Sequence, residues 1–330
     1  MPKCLILQPI HPAGVDVLKA AGIEVVHASS AAMDVVAAEI GDADAIITRD
    51  AGINAVALDA AKRLKVIANH GIGTNKIDLA RAKELNIPTV FTPTANARSV
   101  AEHTLMLMLA VAKRTVAADQ ATRNNDWRFK YSGGMVEISG KTMGIIGFGT
   151  IGRITAEMAA AGFGMDVLVW SPSTPKETLE ASGFRVAGSL EDVLRQSDVI
   201  SLHRPSRPDT RHMINATTLK LMKPGAILVN TARGSLIDEQ ALYEALRDGQ
   251  ILGAGLDVYD PEPMSTDNPL LTLPNIVLAP HVAGSTEDAL RNAATQCAEQ
   301  IIDVLAGQRP PHIVDVSVWE TRRLPSAAEA

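Results

Sequence analysis

The sequence predicts an α/β protein made of two parallel-sheet lobes, and three observations carry that expectation. Apolar, β-branched runs alternate with helical patterns, and they do so in two separate series. Near-continuous apolar strands separated by helices imply parallel sheets covered on both faces. The length of 330 residues fits roughly two domains. An apolar fraction of 46% with a net charge of −6 supplies a sizeable core.

The first series reads as strands at "CLILQP", "IEVVHA", "AIITRD", "KVIANHG" and "PTVFTP". Helical patterns such as "AGVDVLKAAG" and "DLARAKELN" lie between them. A long helix follows, "SVAEHTLMLMLAVAKR", with Ser99 and Glu102 at capping-box spacing; the lobe boundary is placed here. The second series runs through "TMGIIGFG", "DVLVWS", "DVISLH", "AILVNTA", "ILGAGLDV" and "NIVLAP". It closes on the helix "TEDALRNAATQCAEQIIDVLAG" and a polar, proline-containing tail that is expected to fray or to drape on a neighbour. The two series share no motif, so they are two similar architectures rather than a repeat.

Several function classes are excluded at this stage. A mildly acidic chain with scattered Lys and Arg lacks the dense basic face that nucleic acid or an anionic membrane requires. The apolar stretch "TLMLMLAVA" is flanked by Glu102, His103, Lys113 and Arg114; it is too short to span a bilayer and reads as a buried helix. The N-terminus has too short an apolar core for a signal peptide. Cys4 and Cys297 show neither disulfide nor metal spacing, so a reducing, cytoplasmic location and no metal are expected.

The first chemistry-bearing stretch is Gly147-Phe148-Gly149-Thr150-Ile151-Gly152. Glycines punctuate many turns, and alone the pattern says little. Here a buried strand precedes it and an amphipathic helix follows. In that setting Gly147 permits the tight turn and Gly149 lets the backbone approach a pyrophosphate. Gly152 allows close helix–strand packing, with the helix N-terminus facing the phosphates. The next strand, however, ends in Ser171-Pro172, 19 residues after Gly152, where an acid that grips the ribose of NAD is expected. Ser171, Ser173, Thr174 and Lys176 offer donors for the 2′-phosphate of NADP instead. A plain polar strand end that tolerates either cofactor is the alternative. Dual use or NADP is favoured slightly over strict NAD.

The second stretch is a trio: Arg233 in "VNTARGSLID", Glu262 in "GLDVYDPEP" and His281 in "LAPHVAGST". Singly, each has a dull reading as a surface charge, a loop carboxylate or a strand-end histidine. Each nevertheless lies just past the carboxyl end of an apolar strand, the edge where open α/β sheets bind ligands.

With these motifs the chain resembles the D-isomer-specific 2-hydroxyacid dehydrogenases, the glyoxylate/hydroxypyruvate reductases among them. The resemblance covers nearly the whole chain and is carried by "NHGIGTNKID", "SVAEHTLMLMLAVAKR", "GKTMGIIGFGTIGR", "SLHRPSRPDTRHMIN", "LKLMKPGAILVNTARGSLIDEQAL", "GAGLDVYDPEP" and "PHVAGST". It implies two Rossmann/flavodoxin-like doubly wound lobes with an active-site cleft between them. The substrate lobe would comprise residues 1–98 and 286–330 and the dinucleotide lobe residues 99–285, with hinges near Ser99 and Ser285. It implies that Arg233 binds the carboxylate and keto oxygen of a 2-oxoacid, that His281 protonates that oxygen, and that Glu262 hydrogen-bonds the histidine. A carboxylate favours imidazolium, and a guanidinium offers a planar fork for a carboxylate. The developing oxyanion then faces two cationic donors.

By the same comparison Ile72 and Gly73 give backbone N–H groups to the substrate, although the segment is also a glycine-rich turn. Asn96 matches a position near the substrate or is a loop residue bonding its own backbone. Gly147, Gly149, Thr150, Ile151 and Gly152 map to the pyrophosphate, Ser171 to the ribose, and His203 and Pro205 to the adenosine. Thr231, Ala232, Arg233, Asp257, His281 and Gly284 map near the nicotinamide, with strand-end capping as the alternative for Asp257. Arg207 departs from the family pattern H-x-P-x-T and lies where it can help hold a 2′-phosphate.

The segment "DWRFKYSGGMVEISGK" matches a region that reaches across to a second subunit, so a homodimer is expected. The implied reaction interconverts a small 2-oxoacid, glyoxylate or hydroxypyruvate foremost, and its D-2-hydroxyacid with NAD(P)H. The length suggests that the extra regulatory domain of many 3-phosphoglycerate dehydrogenases is lacking. Formate oxidation has no use for Glu262, whereas phosphite oxidation stays open. The rival reading is a dinucleotide-sensing binding protein of the same fold, as in the family's transcriptional corepressors.

Overall fold

The computed structural model describes residues 1–323. The chain divides into two compact units, residues 1–96 with 285–323 and residues 97–284.

In the first unit five strands pair in parallel: β1 (Lys3–Ile6), β2 (Glu24–His27), β3 (Ala45–Thr48), β4 (Val66–Asn69) and β5 (Thr89–Phe91), in the order β2-β1-β3-β4-β5. β3 and β4 are buried along their whole length, as expected of central strands covered on both faces. One face packs Ile46, Ile67, Leu58 and Ile87. The other packs Cys4, Ile6, Ala68 and Val90 against Cys297 and Ile301 of the helix Glu287–Leu305. The two cysteines, remote in sequence, thus share one core as free thiols, and burial pushes the Cys4 thiol up to about 12. The described part of the tail, up to Arg323, does not fray as expected. Ile313 bridges Val90 in antiparallel fashion, and Arg323 donates to the carbonyls of Ala61, Lys62 and Leu64. Three backbone acceptors for one guanidinium hold the segment on its own unit. Residues 324–330 lie outside the described residues.

The second unit holds a seven-stranded, all-parallel sheet. Its strands are β6 (Thr142–Ile146), β7 (Asp166–Trp170), β8 (Arg185–Val186), β9 (Val199–Leu202), β10 (Ile227–Asn230), β11 (Gly253–Leu256) and β12 (Ile276–Leu278), in the order β12-β11-β10-β9-β6-β7-β8. β8 was not foreseen. It is two exposed residues at the sheet edge, too short and too polar to show an apolar run. Strand order reverses beside β6, which opens a crevice at the carboxyl ends of β6 and β9. The register sets Asn230 beside Leu256 and Leu256 beside Leu278. The loops after β10, β11 and β12 therefore leave from one edge.

The helix Ala97–Ala112 packs on β10 and β11. Ser99 is not its cap: it lies within the helix, buried, and its hydroxyl donates to the Ala283 carbonyl. Glu102 pairs instead with Arg98 at 3.0 Å. Most of the helix is buried, and its exposed strip is Arg98, Glu102 and Met106, the last 43% exposed. Among the described residues no helix is long and apolar enough to cross a membrane.

Candidate active site

The β6–helix turn has the shape a dinucleotide pyrophosphate requires. Gly147 sits at φ +102°, in the region that favours glycine, and a Cβ there would strike the His203 carbonyl. A Cβ on Gly152 would strike the Gly147 carbonyl, whereas one on Gly149 would meet nothing within 4 Å. Gly149 is also the N-cap of the helix Thr150–Phe163 and supplies no side-chain cap. The first-turn N–H groups, those of Thr150 and Ile151 among them, are thus left without a side-chain acceptor at an open, positive helix end. Only a group that brings its own anionic oxygens fills such a cradle well.

At the end of β7, Ser171 is 4% exposed and its hydroxyl hydrogen-bonds Thr174 at 2.8 Å. Lys176 is 78% exposed and paired with Glu180 at 3.3 Å. His203, after β9, bonds Ser201 through Nε2 at 2.9 Å. Burial pushes its imidazole down to about 4, so the ring is neutral near pH 7. Pro205 and Arg207 are exposed, and the Arg207 N–H donates to Thr210.

His281 and Glu262 meet at the β10–β12 edge, and the Arg233 guanidinium is near enough to feel the Glu262 charge. His281 Nδ1 lies 2.7 Å from Glu262 Oε2. The other carboxylate oxygen, Oε1, accepts the Tyr259 N–H at 3.0 Å, which fixes the plane of the carboxylate. Tyr259 is itself anchored, its hydroxyl donating to the carbonyls of Ala279 and Leu256; burial pushes that hydroxyl up to about 12. Gly234 is the point of close approach, because a Cβ there would overlap the Tyr259 backbone. This contact brings the Arg233 turn against the Glu262 loop. Asn230 shapes the same turn, accepting the Ala232 N–H and donating to the Arg233 carbonyl. Burial lowers the Arg233 pKa and the Glu262 carboxylate opposes the shift; a guanidinium remains charged regardless.

His281 is held in a left-handed conformation, φ +54°, which costs a non-glycine residue about 1–3 kcal/mol. Asp257 clamps the strained loop. Its carbonyl accepts the His281 N–H, and its two carboxylate oxygens accept the N–H groups of Val282 and Ala283, each at 2.8 Å. Burial pushes the Asp257 carboxyl up, and those two N–H donors oppose the shift. On the packed side His103 Nε2 lies 3.5 Å from Asp257, and Thr104 bonds Thr231 at 2.9 Å. Gly284 ends the unit.

Ile72, Gly73 and Asn96 belong to the other unit. The Asn69 side chain ties the turn that carries Ile72 and Gly73, donating to the carbonyls of Gly71 and Gly73. Ile72 is 36% exposed, and Asn96 Oδ1 is buried without a hydrogen-bond partner.

The supporting residues Tyr259, Asn230, His103 and Thr104 were not foreseen. Their contacts join segments far apart in sequence, and no local pattern announces them.

Residues 105–283 match the family described as D-isomer specific 2-hydroxyacid dehydrogenase, NAD binding domain. A D-3-phosphoglycerate dehydrogenase from Methanocaldococcus jannaschii is 40% identical over 318 residues, 96% of this chain and 60% of that protein. A glyoxylate reductase from Aeropyrum pernix is 40% identical over 272 residues, 81% of each chain. The crystal structure of an NADPH-dependent glyoxylate/hydroxypyruvate reductase from Sinorhizobium meliloti superposes with a TM-score of 0.86 at 28% identity, covering 98% of this chain and all of that one. The site and fold thus define a class, dinucleotide-binding α/β proteins with an Arg–Glu–His edge. Within it, this chain belongs to the D-isomer-specific 2-hydroxyacid dehydrogenase family. It spans about three fifths of the length of the phosphoglycerate dehydrogenases it matches.

Proposed function

We propose that this protein interconverts a small 2-oxoacid and its D-2-hydroxyacid with NAD(P)H, glyoxylate and hydroxypyruvate being the leading substrates. The observation that carries the reading is the 2.7 Å His281–Glu262 pair beside Arg233, at the edge of a sheet that also bears a phosphate cradle. A bound nicotinamide dinucleotide, held by the turn Gly147–Gly152, would supply the hydride, and the chain's own groups do the rest. Arg233 takes the substrate carboxylate and keto oxygen on its fork. Glu262 holds Nδ1 of His281, which leaves Nε2 to deliver a proton to the oxygen as negative charge builds there. Both cations then stabilise that charge before the proton arrives. In the oxidative direction His281 accepts the proton.

The test is a plate assay of NADH and NADPH oxidation against glyoxylate, hydroxypyruvate, pyruvate and 3-phosphohydroxypyruvate, with chiral analysis of the product. Turnover of one or more acids to the D-product is expected. Measurable dinucleotide binding without turnover of any acid favours a sensor instead. Phosphohydroxypyruvate belongs in the panel because a phosphoglycerate dehydrogenase matches 96% of the chain.

For the cofactor, the absence of an acid at Ser171 supports NADP or dual use. Ser171→Asp places a carboxylate where a 2′-phosphate would sit. It should move the ratio of kcat/KM values towards NADH by at least about tenfold, the scale of one lost charge-assisted contact. An unchanged ratio would mean that this strand end does not read the ribose.

We also propose a homodimer. The segment after the helix Thr115–Arg123 exposes Trp127 by 68% and Tyr131 by 79%. In the same unit, Leu105, Met106, Leu109, Met158 and Phe163 line an open apolar groove of about 750 Å³. Apolar surface of this kind marks interfaces, and sedimentation velocity reads the state directly.

A further inference from the structure

Arg204 is the polar side chain of the dinucleotide unit least at ease in its surroundings. It follows β9 by two residues, and only 8% of its side chain is exposed. Two of its nitrogens, Nε and Nη1, are buried without a hydrogen-bond partner. The third, Nη2, lies 3.6 Å from Asp209, a 67% exposed carboxylate. Each unmet buried donor costs about 1–3 kcal/mol, and a desolvated cation adds to that. Such an arrangement is stable only as one half of a pair.

Its position indicates the other half. The Arg204 backbone N lies within 3.3 Å of where a Gly147 Cβ would stand, so the residue starts against the first glycine of the phosphate cradle. Its guanidinium carbon then sits 5.6 Å over the ring of Trp170. Trp170 ends β7 and immediately precedes Ser171, the position where the ribose is read. At 5.6 Å the guanidinium is within cation–π range of the ring, and its planar fork is the group suited to a bidentate contact with phosphate. The other cations nearby are less prepared. Lys176 is paired with Glu180, Arg207 is exposed, and His203 is neutral near pH 7.

We propose that Arg204 selects the 2′-phosphorylated dinucleotide, its unmet Nε–H and Nη1–H donors taking the 2′-phosphate beside Ser171. The inference rests on the reading above that the glycine turn binds a nicotinamide dinucleotide and admits NADP. It adds the residue that makes the choice. Asp209 is the resident counter-ion that yields to the phosphate.

The experiment measures binding without oxoacid: dissociation constants for NADPH and NADH, by nicotinamide fluorescence, with the whole chain and three variants. Arg204→Met keeps the length and the packing on Trp170 but has no donors. It should weaken NADPH by about 10- to 100-fold, the value of hydrogen bonds to a charged group, and change NADH by less than about threefold. Arg204→Lys keeps the charge without the fork and should lie between, which also guards against a methionine variant that fails to fold. Arg195→Met, at an exposed arginine of the helix Leu190–Gln196 in the same unit, should leave both constants unchanged.

An equal loss for both dinucleotides with Arg204→Met would show that Arg204 merely stacks on the adenine, and would overturn the proposal. So would no loss for either. Wild-type binding of NADH without NADPH overturns the proposal while the dinucleotide reading stands. Wild-type binding of neither removes both.

Discussion

His281→Ala should lower the rate of oxoacid reduction by about 10²- to 10⁴-fold, the usual worth of a positioned general acid, and leave dinucleotide affinity within about twofold. The expectation follows from how the ring is held. Nδ1 is engaged by Glu262, Glu262 is oriented by the Tyr259 N–H, and Tyr259 is pinned by two carbonyls. The chain fixes a ring whose free nitrogen is Nε2. Neither the phosphate cradle nor the β7 end depends on that ring, so binding and chemistry should separate. Because His281 occupies the left-handed region, alanine adds some loop strain. His281→Asn is the control, since asparagine tolerates that conformation and transfers no proton. Single-turnover rates with both variants check the point, and activity near wild type in the asparagine variant would mean the acid is another group.

The second large effect is expected at Arg233. Arg233→Ala should reduce kcat/KM for the oxoacid by on the order of 10²- to 10³-fold, the cost of truncating one partner of a desolvated charge pair. Most of the loss should appear in KM, because the guanidinium holds the substrate carboxylate before and during reaction alike. Arg233→Lys should recover only part, since an ammonium cannot offer the two parallel donors. The substitution removes an Nη1–H donor to the Ala232 carbonyl. Asn230 still ties the turn at both ends, so the backbone should stay in place. A KM unchanged by Arg233→Ala would place the substrate carboxylate elsewhere.

Much of this was legible in the sequence for a physical reason. Central strands buried on both faces must be apolar throughout, as in "DVISLH" and "AILVNTA", and eleven of the twelve strands among the described residues stand out as apolar runs. β8 does not, since a two-residue edge strand is exposed and has no core to face. The glycine turn was legible because sterics admit nothing but glycine at Gly147 and Gly152.

What could not be read was anything decided by a distant partner. Ser99 has the spacing of a helix cap, yet its hydroxyl serves the Ala283 carbonyl, 184 residues away. Arg207 attracted notice by departing from a family pattern, whereas Arg204, three residues earlier, is set apart by being buried with two of its nitrogens unpartnered. Burial is not a local property of sequence. The tail shows the same limit: its polar composition suggests fraying, and the carbonyls that hold Arg323 belong to residues 61–64.

The most direct test is a crystal structure of the protein with oxidised dinucleotide and oxamate, an unreactive 2-oxoacid mimic. The expected geometry has His281 Nε2 and an Arg233 nitrogen both within about 3.2 Å of the oxamate carbonyl oxygen, with Glu262 still on Nδ1. Oxamate seated away from His281, or Arg233 turned from its carboxylate, would contradict the assignment of this edge as the reacting centre.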